Sequence, residues 1–280
     1  MKEGIYLKFL MSNKLILIVI IAVPIILSFS FGEMVISNYN TSSDGETYTE
    51  MVGLPQGQDS GQIDVPEAVY KEKFNKPGIG DKISQIDQVR FKFSYYSSII
   101  NIGKASIFFG SIIAVLTCGR MVTDKSIIYH IVNKESRKKA FLDFLFVPFI
   151  FILFVGTITA LSISTTSHQI FSEKVLTTQN SLLLPILILN LSLIEGYLFG
   201  ILFTLISNSD IVPILLSLGL IFSSILIVDL NKIILSHYYL ISSQLGILKL
   251  RQPGLILIGV ILFFILVISN YLIFMRRDFY

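Results

Sequence analysis

Long runs of apolar residues recur six times along the chain, each bounded by charged or small polar residues. Each run holds about 17 to 25 residues, and a helix of that length crosses a hydrocarbon core about 30 Å thick. The runs are apolar on all sides and lack the alternation of a half-buried strand. This pattern predicts an all-α integral membrane protein with six transmembrane helices, over residues 15–31, 97–118, 141–163, 182–206, 211–228 and 255–275.

Polar stretches between the runs predict the domain organisation. Residues 32–94 are rich in Gly, Ser, Asp, Gln and Pro and carry more acidic than basic side chains, which is typical of a soluble insertion outside the membrane. Residues 229–253 have a polar middle that favours an outer re-entrant hairpin over a seventh span. We therefore expect a leader and first span (1–31), an extracytoplasmic insertion (32–94) and a five-span membrane domain (95–280).

The distribution of Lys and Arg predicts the orientation. Short flanks rich in these residues stay in the cytoplasm. The N-terminal leader, the loop 119–140 and the tail at Arg276 and Arg277 are the basic flanks of this chain. We therefore predict a multi-pass protein of the cell membrane with both termini in the cytoplasm. The first run is interpreted as a retained anchor and not as a cleaved signal peptide, because it is long and lacks a clean cleavage site.

Composition agrees with this class. Hydrophobic residues make up 53% of the 280 residues and charged residues only 15%, and the mean hydropathy is +0.73. A soluble domain of this length is far less apolar. The net charge is +3, and many of the basic residues flank the spans. Basic residues in such flanks reflect topology and contact with anionic lipid, so no nucleic-acid partner is expected. Cys118 is the single cysteine, which excludes an intramolecular disulfide.

Motifs for chemistry are missing from the sequence. Its only Gly-Lys pair, Gly103-Lys104, is followed by Ala105, so no Walker-type phosphate loop is present. Neither an HExxH motif nor a cysteine cluster occurs, and the three histidines lie in segments assigned to different loops. We expect no catalytic residues, no cofactor and no metal site in this chain.

Glu195 is the acidic residue deep within an apolar run. A carboxylate at that depth is costly unless it is paired or protonated, and such residues are functional candidates. One interpretation is structural, with the carboxyl protonated or paired with Asn190 or Lys104. The other places Glu195, Asn190 and Lys104 along a transport pathway.

The loop 119–140 predicts a short amphipathic helix parallel to the membrane. Polar and basic residues surround its imperfect apolar face, and anchoring to anionic lipid would by itself account for that pattern. The apolar face consists of Met121, Ile127, Ile128, Ile131 and Val132.

Motifs in this loop resemble the type-2 permeases of ATP-binding-cassette (ABC) exporters. These permeases have six spans and carry a coupling helix between spans two and three. Asp124 is similar to one of the family's acids, and Lys125-Ser126 occupy the place of its Gly-Thr pair. Ser136-Arg137 match its Ser-Arg pair.

Two further features belong to the resemblance. Arg276-Arg277-Asp278 looks like the family's basic tail, and the polar segment 229–253 is similar to its outer re-entrant helices. The chain departs from the family at Lys134, where proline is typical.

The resemblance implies a permease subunit of an ABC exporter. Two cytoplasmic ATPase subunits would supply ATP hydrolysis. A second permease, either identical or a sister chain, would complete the pathway. Membrane lipid would surround the two permeases. The cargo would be amphipathic or lipophilic, such as a peptide, an antibiotic or a lipid-like molecule. The residues implied in coupling are Met121, Asp124, Lys125, Ile128, Ser136 and Arg137.

An alternative from another class stays open. The chain would then be a non-transporting membrane scaffold or immunity protein that binds a partner or toxin through the outer insertion, residues 32–94. Co-purification of an ATPase with the chain distinguishes the exporter from this alternative.

Overall fold

The computed structural model describes residues 14–41, 79–134, 136–170, 183–244, 252–277 and 279, and within these residues all regular structure is helical. In chain order the helices are α1 (Lys14–Thr41), α2 (Ile79–Ala114), α3 (Arg120–Thr123), α4 (Ile127–Lys134), α5 (Arg137–Ile170), α6 (Leu183–Ser207), α7 (Ile211–Leu226), α8 (Val228–Ile234), α9 (Ser236–Gln244) and α10 (Pro253–Arg276).

Five helical stretches of the described residues are long and apolar enough to cross a membrane. Each contains or nearly coincides with one predicted run, so the all-α class is confirmed and the fold fits a multi-pass membrane protein. The sixth run, 211–228, forms the 16-residue helix α7. At about 1.5 Å per residue, α7 is roughly one turn short of a 30 Å core. The five stretches are Lys14–Asn38, Ser94–Thr123, Arg137–Thr166, Leu183–Ser207 and Pro253–Arg276.

The helices beside the predicted insertion extend into it. α1 continues past Phe31 to Thr41, and α2 begins at Ile79, before the expected boundary at residue 94. Loss of apolar character marks where lipid contact ends, whereas a helix continues for as long as its backbone bonds can propagate. The middle of the insertion, residues 42–78, lies outside the described residues.

α2 and α6 make the most extensive helix contact. A Cβ atom added at Gly196 would collide with the backbone carbonyl of Ile107, and one at Gly110 would collide with that of Leu193. Gly200 follows Gly196 by one turn and faces the backbone of Ser111 at 3.0 Å from the Cβ position. Small residues spaced four apart let two membrane helices approach closely, which explains this contact.

The two ends of the bundle are distinguished by contacts between elements. At one end the Thr123 hydroxyl donates to the Asp210 carboxylate (3.3 Å), and Arg137 reaches the backbone after α10. We call this the basic end, because residues 119–139 and 276–277 bring most of its charge. At the opposite end the Asn38 amide donates to the Ser98 hydroxyl (3.2 Å).

α8 and α9 meet at Leu235, which is fully buried against α2 and α6. A Cβ atom at Gly103 of α2 would lie 3.4 Å from the Leu235 side chain and 3.4 Å from the Ser192 hydroxyl. A Cβ atom at Gly259 of α10 would collide with the Ile233 carbonyl. The α8–α9 segment is therefore inserted among three long helices at places where each offers glycine or serine.

Candidate functional site

The α8–α9 segment brings one histidine against two polar residues of α6. Nε2 of His237 shares a hydrogen bond with the Ser192 hydroxyl (2.8 Å), and Nδ1 lies 3.4 Å from Oε2 of Glu195. Residues 192 and 195 are three apart and therefore project from the same face of the helix. We call Ser192, Glu195 and His237 the polar cluster.

Glu195 is buried, so its carboxyl group needs a polar partner. Glu195 is 7% exposed and Ser192 is fully buried. Oε2 of Glu195 is within ion-pair distance of His237 but has no hydrogen-bond partner among the described residues. A lone carboxylate is costly in an apolar interior, and His237 gives Glu195 a neighbour with which it can share a proton or an opposite charge.

The sequence offered Asn190 and Lys104 as partners of Glu195, and the structure places His237 there instead. Asn190 lies on a different face of α6, since five residues correspond to about 140° of helical rotation. Its amide donates to the Ile186 carbonyl (2.8 Å), and its oxygen packs where Gly156 leaves space. Lys104 is half-buried on α2. Asn190 and Glu195 therefore project from different faces of α6.

The order serine, histidine and glutamate is that of a hydrolase triad, but the surroundings favour another role. The Ser192 hydroxyl is enclosed between α2 and α9, with the Gly103 backbone against it. An acyl group has no room there, and the amides of a helix interior are already used by the helix. The polar cluster is suited to fasten α9 to α6.

Two tyrosines follow His237 on α9. Burial raises the pKa of the Tyr239 phenol to about 12, and it raises the pKa of the Tyr238 phenol further, because desolvation disfavours the phenolate. Both tyrosines are therefore neutral at physiological pH. The other residues of α9 are uncharged, so His237 is the residue of this helix that can carry a charge in the polar cluster.

The basic end contains the short amphipathic helix expected in the loop 119–140, as α4. Ile127 is fully buried, whereas Tyr129 is 76% exposed and Val132 is 67% exposed. Two large apolar side chains one turn apart are thus displayed on a helix outside the spanning stretches. Tyr129 was missed as a candidate because the pattern alone treats tyrosine as neither clearly apolar nor polar.

The six expected coupling residues are distributed over several environments. Met121 is buried, Ile128 is half-buried, and Asp124 and Lys125 are exposed in the turn before α4. Lys125 has a backbone φ of 57°. This left-handed conformation favours glycine, so a glycine at this place, as in the resembling family, has a conformational reason.

Ser136 and Arg137 lie at the start of α5, where Arg137 contacts the end of α10. The Ser136 carbonyl accepts the Ala140 amide (3.0 Å), so Ser136 immediately precedes α5 and accepts its first backbone hydrogen bond. The Arg137 guanidinium donates to the carbonyls of Met275 (2.9 Å) and Arg277 (3.1 Å). Carbonyls at a helix C-terminus lack helical partners, and a cation satisfies them well. Arg137, which is half-buried, therefore anchors the end of α10.

The buried side of α4 contacts α5. His130 is buried, and its Nε2 lies 3.8 Å from Oδ2 of Asp143 on α5. The chain from α2 to α4 passes through a π-helical turn, Val115–Gly119, and then α3. Single π turns within membrane helices are local irregularities at which a helix can bend.

A metal site has no support in the part of the chain that the structure describes, where His, Cys, Asp and Glu form no group of three or more. Comparison with known proteins finds no matching family model, no matching curated protein and no matching solved structure. The function of this protein must therefore be inferred from its own residues, those of α4 and of the polar cluster.

Proposed function

We propose that this protein is the permease subunit of an ABC exporter of the type-2 family, driven by a separate cytoplasmic ATPase. The supporting observation is the construction of α4. Its inner face is fixed by Ile127 and His130, while Tyr129 and Val132 point outward from the basic end. A rigid helix with exposed aromatic and aliphatic groups is a suitable docking surface for a protein partner.

In this proposal the basic end faces the cytoplasm, by the positive-inside rule, and both termini lie there. α7 makes the sixth crossing. A span of only 16 residues is accommodated by local thinning of the bilayer. The chain leaves α7 at the extended residue Ile227 and re-enters the bundle at once as α8. The α8–α9 segment then is the re-entrant hairpin of the outer side.

Mechanical coupling follows the contacts between helices. Closure of two ATPase subunits would move α4, and the π-helical turn Val115–Gly119 would pass that motion to α2. The close contact of α2 with α6 at Gly196 would carry it to the polar cluster, which fastens α9. A second permease, identical or a sister chain, would enclose the pathway with this one. The cargo is amphipathic or lipophilic, because the spans offer an apolar surface.

The proposal is tested by co-expressing the full chain with candidate ATPases and measuring co-purification and ATP turnover in nanodiscs. The variant Tyr129→Ala/Val132→Ser should lose co-purification and about tenfold in stimulated ATP turnover, since exposed anchors carry most of a docking energy. The control is Phe222→Ala/Leu226→Ser, which removes similarly exposed apolar groups from α7. Equal ATPase recovery with both double variants would contradict the proposal.

A further inference from the structure

A groove of about 790 Å³ runs between α1 and α5, apart from the polar cluster. This volume is within the range of pockets that hold drug-sized ligands. Its apolar part includes Ile25, Phe29 and Phe154, which are 63%, 70% and 56% exposed. The described part of the chain therefore leaves this groove open along its side.

One end of the groove is polar and carries a carboxylate. Glu33 of α1 lies there together with Ser162 and Thr166 of α5. The Thr166 hydroxyl donates its hydrogen to the Ser162 carbonyl (2.9 Å), so its oxygen is left to accept a hydrogen bond. Among the described residues that line the groove, none is a Lys, Arg or His that would balance Glu33. This end therefore favours a ligand group with positive charge and several donors.

Acceptors continue along the α1 side of the groove. Pro24 has no N–H for the carbonyl of Ile20, and both residues line the groove. The Ser28 hydroxyl oxygen is buried and has no hydrogen-bond partner among the described residues. These acceptors lie about 8 to 20 Å along α1 from Glu33, so the polar end of the groove is defined by Glu33, Ser162 and Thr166.

We propose that this groove binds a single-chain cationic amphiphile. Its ammonium head lies at Glu33 and Thr166, and its alkyl chain lies along Phe29 and Phe154. An anionic amphiphile is disfavoured because its head would face the Glu33 carboxylate. The proposal does not require ATP-driven export, since binding needs only the groove.

The absence of tryptophan from the sequence provides a clean reporter. Phe154→Trp places one tryptophan in the groove, and Phe264→Trp places one on α10, at a residue of similar exposure that does not line the groove. The full chain is placed in phosphatidylcholine nanodiscs. A brominated alkylammonium and a brominated alcohol of equal chain length are then compared as quenchers.

The ammonium should quench the Phe154→Trp reporter at a concentration about three- to fivefold lower than the alcohol, after normalisation to Phe264→Trp. Adding Glu33→Gln should remove this preference. Adding Asp229→Asn, which neutralises an exposed carboxylate at the same end of the bundle, should preserve it. Phe29→Trp serves as a second groove reporter if Phe154→Trp does not fold.

Three results would overturn the proposal. Equal quenching by ammonium and alcohol would mean a groove that is filled by lipid chains without selection. A preference that survives Glu33→Gln would move the cation elsewhere. Protection of both groove reporters from both quenchers would mean that another protein surface, such as a second copy of the chain, covers the groove. Loss of ATPase docking has no bearing on any of these readouts.

Discussion

The imidazole of His237 lies 3.4 Å from the carboxylate of Glu195 and joins α9 to α6 inside the bundle. Its other nitrogen is held by the Ser192 hydroxyl at 2.8 Å, which fixes the ring orientation. Removing one partner leaves a buried polar group unsatisfied, whereas replacing both removes the requirement. The two residues should therefore be coupled energetically.

Replacing His237→Ala should lower the free energy of unfolding by about 1 to 3 kcal/mol, because Glu195 loses its partner. Glu195→Ala combined with His237→Ala should cost less than the sum of the two single changes, because neither buried polar group then remains. Thermal unfolding in detergent, followed by circular dichroism, gives all four values of this double-mutant cycle. Additivity within about 0.5 kcal/mol would show that the two residues act independently. Ser223→Ala, which changes an exposed hydroxyl on α7, should be nearly neutral.

The helix contact at Gly196 gives a sharper contrast between two glycines. Gly196→Ala should prevent normal packing of α2 on α6 and reduce the yield of folded protein, because the added methyl group would collide with the Ile107 carbonyl. Gly219→Ala on α7 meets no atom within 4 Å and should stabilise its helix by about 0.5 to 1 kcal/mol. Size-exclusion profiles and thermal midpoints measure both. Equal behaviour of the two variants would contradict the close contact.

A glycine at residue 125 should stabilise the turn before α4. Lys125 has φ of 57°, which costs an ordinary residue about 1 to 2 kcal/mol. Lys125→Gly should therefore raise the thermal midpoint by about 2 °C with ATPase docking intact. The neighbouring Asp124→Gly, at φ of −81°, should lower the midpoint or leave it unchanged. A rise for Asp124→Gly but not for Lys125→Gly would refute the conformational argument.

Arg137→Ala should loosen the end of α10, because two backbone carbonyls lose a charged hydrogen-bond donor. One hydrogen bond to a charged group contributes about 1.5 to 3 kcal/mol. Faster hydrogen exchange of the amides of residues 274–277 should accompany a lower thermal midpoint. Lys138→Ala removes the same charge from an exposed neighbour and should change neither quantity. Normal exchange and an unchanged midpoint in Arg137→Ala would contradict the anchoring of α10 by this residue.

The long helices were predictable because apolar runs of sufficient length have few alternatives to a spanning helix. The bounds of α1 and α2 were not, since Glu33 and Ser94 end the apolar pattern but not the helix. The partner of Glu195 could not be read from the sequence either. His237 lies in a polar segment beyond α7, and only the insertion of α8 and α9 among the long helices brings it to α6.

α4 shows a second limit of sequence patterns. The sequence of the loop 119–140 shows an apolar face. It does not show which apolar side chains of that face are covered by the bundle. In the structure Ile127 and His130 are buried against the bundle, where His130 contacts Asp143, and Tyr129 and Val132 are exposed. The motif position that suggested Met121 and Arg137 for coupling also did not indicate that Met121 is buried or that Arg137 bonds to the end of α10.

The central claim is that α4 is the docking helix at the cytoplasmic face. Cys118 is buried, so Cys118→Ser provides a cysteine-free background. Tyr129→Cys on α4 and Asp229→Cys on α8 then place single exposed thiols at opposite ends of the bundle. With a membrane-impermeant maleimide, the account predicts labelling of Tyr129→Cys in inverted vesicles but not in intact cells, and the reverse for Asp229→Cys. Labelling of Tyr129→Cys in intact cells would contradict it.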